Sequence, residues 1–300
     1  MALTIGSRLL QRAVLTGVAS LMMLAGFVGA PMVSAHAREE SRLPKIAVAV
    51  SGSAPEMPSA LHAGWTDFTF VNTSSAPAEV QFVRLHEGRT PADALAAFQA
   101  QNPDAAVQEI GSFQGGANTL NPGASQEVYL KLTRGSYVAV SFSFISPLPL
   151  ITPFRVYGSG DGGPKPGEAD GTITLYNNDT VFKIQVSPGA QRDGTVVATV
   201  SDIGTQPHEY ALHRLLPGVT QAQAKQCLFD PTCDPFNFVA LDGGLATIEP
   251  GTTAYLVLRN TPGTYFAACF VIDSRTGDPH FLLGMYTFYT VQSSGDGGKR

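Results

Sequence analysis

A sulfur nucleophile or metal ligand is available near the C-terminus of the chain, because Cys269 is the odd member of three cysteines. In an oxidising compartment an unpaired cysteine must be free, bonded to another chain or bound to something else. The other two cysteines, Cys227 and Cys233, flank Asp230-Pro231, a pair of residues that turns the chain. We therefore expect a local disulfide between Cys227 and Cys233, which leaves the thiol of Cys269 for other chemistry.

Three short motifs place histidine and methionine residues around this thiol in the sequence. A Gly-Thr-Tyr segment leads to Cys269, a Pro-His-x-x-x-Gly-Met segment contains His280 and Met285, and an earlier Gly-x-x-Pro-His segment ends at His208. This pattern resembles the cupredoxin, or blue copper, family in its plastocyanin-like members. The resemblance implies that Cys269 is the thiolate ligand of one copper ion, that His208 and His280 are its imidazole ligands, and that Met285 is the axial thioether.

The donor set that the resemblance implies suits copper in both of its oxidation states. A thiolate and two imidazoles form a trigonal site with a weak thioether on its axis, so little rearranges on electron transfer. The chain departs from the family in two places. Ten residues separate Cys269 from His280, and the polar insertion at residues 273–278 either covers the site or holds His280 away from it. Glu209 stands where many cupredoxins have an asparagine that braces the ligand loop.

Each of these residues also has an ordinary structural interpretation. A cysteine that ends a β-strand can be a small buried hydrophobe, and Met285 can fill the core. The competing hypothesis is a metal-free binding or structural module with the cupredoxin fold. It predicts that His208 and His280 lie too far apart to share an ion.

The sequence contains no constellation typical of an enzyme. Copper oxidases and nitrite reductases need further histidines, commonly in His-x-His pairs and beside the ligand cysteine. Here Ala268 precedes Cys269, and the six histidines form no such pair. A Gly-x-Ser-x-Gly elbow, a His-Glu-x-x-His motif and a phosphate-binding loop are also missing. We therefore predict a protein that is not an enzyme, and a hydrolase has no supporting triad.

An internal repeat divides the chain into two copies of one domain. A shift of 130 residues aligns residues 72–85 with 202–215 and matches Glu79 with Glu209, and a shift of 128 matches later glycine and proline pairs. From the N-terminus we predict a signal peptide at 1–37, a first domain at 38–156, a linker at 157–171, a second domain at 172–293 and a flexible tail at 294–300. The first copy lacks the ligands, because Ala78 replaces His208 and Ser141 replaces Cys269.

Composition and periodicity favour β-structure. Charged residues make up only 14% of the chain, which contains 31 Gly and 21 Pro, and its apolar segments are short and alternating. Helix-start signals occur once in each copy, at Thr90 and Thr220. We predict an all-β fold of two tandem cupredoxin-like Greek-key β-sandwich domains, each with one short helix.

The N-terminus is typical of an exported protein. Arg8 and Arg12 precede an apolar run and two small-residue cleavage sites, which indicates a cleavable signal peptide, although an uncleaved anchor helix is the alternative. The expected location is periplasmic or secreted, with no membrane insertion after signal cleavage. Without its two N-terminal arginines the chain has 17 basic and 24 acidic residues, a formal charge of −7, which disfavours nucleic acid as a partner. A redox partner protein is the partner expected of a copper site.

Overall fold

The computed structural model describes residues 43–143, 146–159 and 163–294, which belong to one compact unit. The predicted signal peptide lies outside the described residues, and so does most of the predicted tail. The domain limits inferred from the repeat stay a prediction. Among the described residues, no helix is both long enough and apolar enough to cross a membrane.

The described residues form sixteen strands and three α-helices, so the prediction of an all-β fold is confirmed. The strands of the first copy are β1 (Lys45–Val50), β2 (Ala60–His62), β3 (Gly64–Asn72), β4 (Ala78–Leu85), β5 (Gly111–Leu120), β6 (Ser125–Leu132), β7 (Gly135–Ser143) and β8 (Ser146–Tyr157). Those of the second copy are β9 (Gly171–Asn177), β10 (Phe182–Val186), β11 (Gly194–Asp202), β12 (His208–Leu215), β13 (Val239–Ile248), β14 (Thr253–Asn260), β15 (Gly263–Ala268) and β16 (Tyr286–Val291). The helices are α1 (Pro91–Phe98), α2 (Pro103–Ile110) and α3 (Gln221–Leu228).

Both sheets of the sandwich continue through the two copies. The seven-stranded sheet has the order β1-β3-β6-β14-β11-β9-β10, and the nine-stranded sheet has the order β16-β15-β12-β13-β5-β4-β7-β8-β2. The copies therefore meet at two antiparallel strand pairs, β6 with β14 and β5 with β13. Because these edges are paired, they are not exposed for aggregation.

The two copies are related by a local two-fold axis at these pairs. Val128 lies opposite Leu256 and Ala117 lies opposite Leu245. Both pairs are 128 residues apart, which is the shift that aligns the repeats in this region. Each residue therefore faces its own counterpart, as in a symmetric dimer interface.

The core between the sheets is apolar and extends through both copies. Phe68, Phe70 and Phe82 are fully buried there, with ring centroids 5.2 to 6.0 Å apart. Burial of each such side chain stabilises the fold by roughly 1.5–3 kcal/mol. The helices cover the outer face of the nine-stranded sheet, α1 and α2 over the first copy and α3 over the second.

The helix-start signals at Thr90 and Thr220 are confirmed, because each residue caps a helix through a reciprocal capping box. The prediction of one helix in each copy is wrong for the first copy, which also contains α2. Asn102 caps α2 by accepting from the N–H of Ala105 at 3.1 Å, and Pro103 occupies its first turn. A capping side chain followed by proline therefore occurs twice in the first copy, at Thr90-Pro91 and at Asn102-Pro103.

The predicted disulfide between Cys227 and Cys233 is confirmed. It links the last turn of α3 to the loop that follows. Cys269 is free and buried.

Candidate metal centre

Strand pairing brings the segments with the candidate ligands to one end of the second copy. His208 begins β12, and Cys269 follows the last residue of β15. These strands are antiparallel neighbours in which Ala211 pairs with Ala268, so the start of β12 lies beside the end of β15. His280 and Met285 lie on the connection from β15 to β16.

Two pairwise contacts link three of the four candidate side chains, with His280 in the middle. Sγ of Cys269 lies 3.5 Å from Nδ1 of His280, and the ring centroids of His208 and His280 are 5.0 Å apart. The N–H of Cys269 donates to the carbonyl of Met285 at 3.1 Å, and the N–H of Met285 donates to the carbonyl of His280 at 3.0 Å. All four residues are 0% exposed.

The long connection between Cys269 and His280 folds back on itself. Asp273 donates its N–H to the carbonyl of Asp278 at 2.8 Å, and Ile272 forms a bridge with Pro279. The N–H of His280 donates to Val271 at 2.9 Å. The insertion therefore does not hold His280 away from Cys269, because its two ends are tied together.

Glu209 braces this connection in spite of the missing asparagine. Its N–H donates to Sγ of Cys269 at 3.5 Å, and Oε1 accepts from the N–H of Phe270 at 2.8 Å. Oε2 accepts from the side chain of Asn118 at 2.7 Å. One residue thus fixes the backbone after the thiol, and its N–H favours a thiolate over a thiol.

Asp202 is a site residue that the motif comparison missed. Its Oδ1 accepts from Nδ1–H of His208 at 2.9 Å, both side chains are fully buried, and Nε2 of His208 has no partner among the described residues. A carboxylate on one imidazole nitrogen leaves the other as a free donor for a metal and fixes its direction. The internal repeat aligns Asp202 with Asn72, so a carboxylate stands in the copy with the histidines where the other copy has an amide, and this difference could have drawn attention to Asp202.

Cys269 and His280 carry no charge at neutral pH when no cation is present. Burial raises the pKa of the Cys269 thiol well above its usual range, and the charge of Glu209 raises it further. Burial, together with the neighbouring His208, lowers the pKa of His280 to about 3. A bound cation would favour the thiolate and leave the imidazole neutral, so metal binding is expected to release a proton.

The donor atoms fit a soft transition metal in type and burial, and one sulfur–nitrogen pair also fits it in spacing. A sulfur and a nitrogen bound to one metal at about 2.3 and about 2.0 Å lie roughly 3.6 Å apart in tetrahedral geometry, close to the 3.5 Å between Cys269 and His280. The Nε2 atoms of His208 and His280 are buried without partners. Within the described segments, however, no three His, Cys, Asp or Glu side chains are grouped closely enough to hold an ion.

The first copy contains small side chains at the two corresponding strand positions. Ala78 and Ser141, which match His208 and Cys269, are both buried. Neither can supply the ligand of its counterpart.

Glu79, the counterpart of Glu209, is half-buried, and its pKa is shifted. Burial raises its pKa to about 7, the charge of Asp104 acts in the same direction, and a hydrogen bond from Thr119 opposes both. For Glu209, burial and then the charge of Glu79 raise the pKa to about 8. A negative charge on Glu79 therefore disfavours ionisation of Glu209.

Glu79→Gln is expected to reduce the loss of stability that the wild-type protein shows as the pH rises. A pKa raised from 4.5 to about 7 stabilises the fold below about pH 4.5, and this contribution, at most about 3 kcal/mol, is lost as pH rises through about 7. Urea unfolding at about pH 5 and about pH 8 measures the difference, with exposed Glu87→Gln as the control. An equal effect of Glu79→Gln at both pH values would contradict the assignment.

No protein-family model and no curated protein sequence match this chain. Among solved structures, a multicopper oxidase matches at 13% identity over 84% of this chain and 89% of the oxidase, with a TM-score of 0.23. Auracyanin A, a "blue" copper protein from the bacterium Chloroflexus aurantiacus, matches at 16% over 38% of this chain and 98% of its own, with a TM-score of 0.28. The auracyanin of Roseiflexus castenholzii matches at 18% over 38% and 97%, with a TM-score of 0.26. Auracyanin A is a blue copper protein, the class that the sequence motifs resemble, but TM-scores this low carry no argument about this chain.

Proposed function

We propose that the second copy binds one copper ion through Cys269, His208, His280 and Met285, for electron transfer or copper handling. The observation that carries the proposal is the 3.5 Å contact between Sγ of Cys269 and Nδ1 of His280 in a fully buried pocket beside the ring of His208. When bound, copper in such a site supplies one-electron transfer with little rearrangement.

The protein's own groups would hold the donors in position. Asp202 orients the ring of His208, and the N–H of Glu209 points at the sulfur. The backbone pairs among Cys269, His280 and Met285 fix the ligand loop. Because burial excludes water, these hydrogen bonds are electrostatically stronger than they would be at the surface.

The proposed function includes an oxidising compartment and a protein partner. The disulfide between Cys227 and Cys233 is consistent with an oxidising compartment such as a periplasm or the extracellular space. A redox partner protein would exchange electrons with the site, and the role is non-enzymatic.

Titration of the metal-free full chain with Cu(II) tests the proposal. We expect an intense visible band that saturates at about one copper per chain, and elemental analysis of the desalted protein checks the stoichiometry. A colourless protein that retains no copper would refute it.

The alternative is a metal-free module with the same fold. It is favoured by one observation, namely that no three His, Cys, Asp or Glu side chains of the described residues form a metal-binding group. It predicts that Cu(II) causes no colour and no change in thermal stability.

Asp202→Asn is expected to weaken copper binding by about 10- to 100-fold, because the amide no longer fixes the tautomer of His208. Competition with a chelator of known affinity measures the change. Asp179→Asn removes an exposed carboxylate elsewhere in the second copy and is the control. Equal affinities of the two variants would show that Asp202 does not act on the ligand.

A further inference from the structure

A cavity of about 560 Å³ opens on the outer face of the nine-stranded sheet. Its floor is formed by Glu79 and Gln81 of β4 and by Glu209, Ala211 and His213 of β12. The residues that alternate with these along both strands belong to the core between the sheets. The cavity therefore lies on the opposite face of the sheet from that core, between the helices of the two copies, and its volume suits a small molecule.

The polar part of the cavity is acidic. Glu79 and Glu209 are repeat counterparts, so the local two-fold axis brings both carboxylates to one floor, where Asp104 adds a third. The Oε1 atom of Glu79 has no hydrogen-bond partner among the described residues, whereas its Oε2 accepts from Thr119 at 3.3 Å. No lysine or arginine is found among the described residues that line the cavity.

The remaining walls are largely aromatic, with seven phenylalanines. Phe98 and Phe142 approach to 5.1 Å between ring centroids on one side, and Phe270 and Phe281 to 5.2 Å on another. Phe270 is 39% exposed. Ring faces attract cations, and an exposed aromatic surface beside a cavity indicates a place for a ligand.

These features exclude other classes of ligand. An anion would meet the carboxylates of Glu79, Asp104, Glu209 and Asp230, with no lysine or arginine in the described lining to balance its charge. A single metal ion is disfavoured, since among the described residues no three His, Cys, Asp or Glu side chains are close enough to hold one. A neutral apolar molecule would offer neither a charge nor a hydrogen-bond donor to Oε1 of Glu79.

We propose that this cavity binds a small organic cation, an aryl- or alkylammonium ion, whose ammonium group lies on Glu79 and whose hydrocarbon part packs against the phenylalanines. This proposal does not rest on copper binding, because none of the four candidate copper ligands lines the cavity.

Isothermal titration calorimetry of the copper-free full chain at about pH 8 tests the proposal with three probes of similar shape. They are 2-phenylethylammonium, neutral 2-phenylethanol and anionic 3-phenylpropionate. We expect the cation to bind at least about tenfold more tightly than the alcohol, and the anion to bind most weakly. Binding of the alcohol as tightly as the cation, or no binding of the cation, would overturn the proposal.

A matched pair of variants locates the charge that is recognised. Glu79→Gln should weaken binding of the cation at least about tenfold and leave binding of the alcohol unchanged. Glu87→Gln, at an exposed position away from the cavity, should change neither. Unchanged cation affinity in folded Glu79→Gln would refute the role of Glu79, and the three probes on the wild-type protein decide the matter even if that variant does not fold.

Discussion

Replacement of Cys269 by alanine is expected to abolish the intense visible absorption that Cu(II) gives the wild-type protein. The band requires a thiolate bound to copper, and Cys269 is the free thiol of the chain, since Cys227 and Cys233 are joined. Burial holds the thiol protonated without a cation, so the wild-type protein should also release about one proton on binding copper, and the variant should not.

Ser141→Ala is the matched control for Cys269→Ala. Ser141 is the counterpart of Cys269 in the first copy and is 2% exposed, so its replacement disturbs an equally buried strand position without touching a candidate ligand. The wild-type protein and the control should give the same band in a visible spectrum. A band that persists in Cys269→Ala would place the copper elsewhere, and loss of the band in the control would show that any disturbance of the sheet removes it.

Local chemistry made several features predictable from the sequence. A threonine before helix formers favours a helix start through hydrogen bonds within a few residues, and the helices after Thr90 and Thr220 are present. The turn between Cys227 and Cys233 brings its own ends together. The closeness of Cys269 and His280 could also be predicted, because the motif resemblance supplied the long-range pairing that the spacing alone does not.

Features that depend on long-range contacts were not predictable in this way. Strands β5 and β13 each contain a Gly-Gly pair and alternate only weakly, so the sequence pattern neither identifies them as strands nor reveals that they join the two copies. Asp202 acts on His208 through a buried hydrogen bond that no motif describes. The acidic floor of the cavity arises because symmetry brings Glu79 and Glu209 together across the sheet, and a linear pattern does not reveal such proximity.

Gly244→Ala is expected to destabilise the protein by about 3 kcal/mol or more, because the Gly-Gly pair of β13 lets this strand lie close to the neighbouring strand β12. Gly244 lies on β13 with φ of +117°, a conformation that disfavours a side chain, and a Cβ would approach the carbonyl oxygen of Tyr210 to 2.0 Å. The obstruction is backbone of the neighbouring strand, which cannot move without breaking the sheet. Gly116, the counterpart on β5, approaches the carbonyl of Val80 in the same way.

Gly251→Ala separates the effect of the positive φ from the effect of the steric clash on the free energy of unfolding. Gly251 also has a positive φ, +78°, but an added Cβ would meet nothing within 4 Å. Its replacement should therefore cost only about 1 kcal/mol, for the backbone conformation. Urea unfolding monitored by circular dichroism compares the two variants, and similar losses would show that close strand approach adds nothing. A larger loss in Gly244→Ala than in Gly251→Ala would support the conclusion that the close approach of β12 and β13 leaves no room for a side chain.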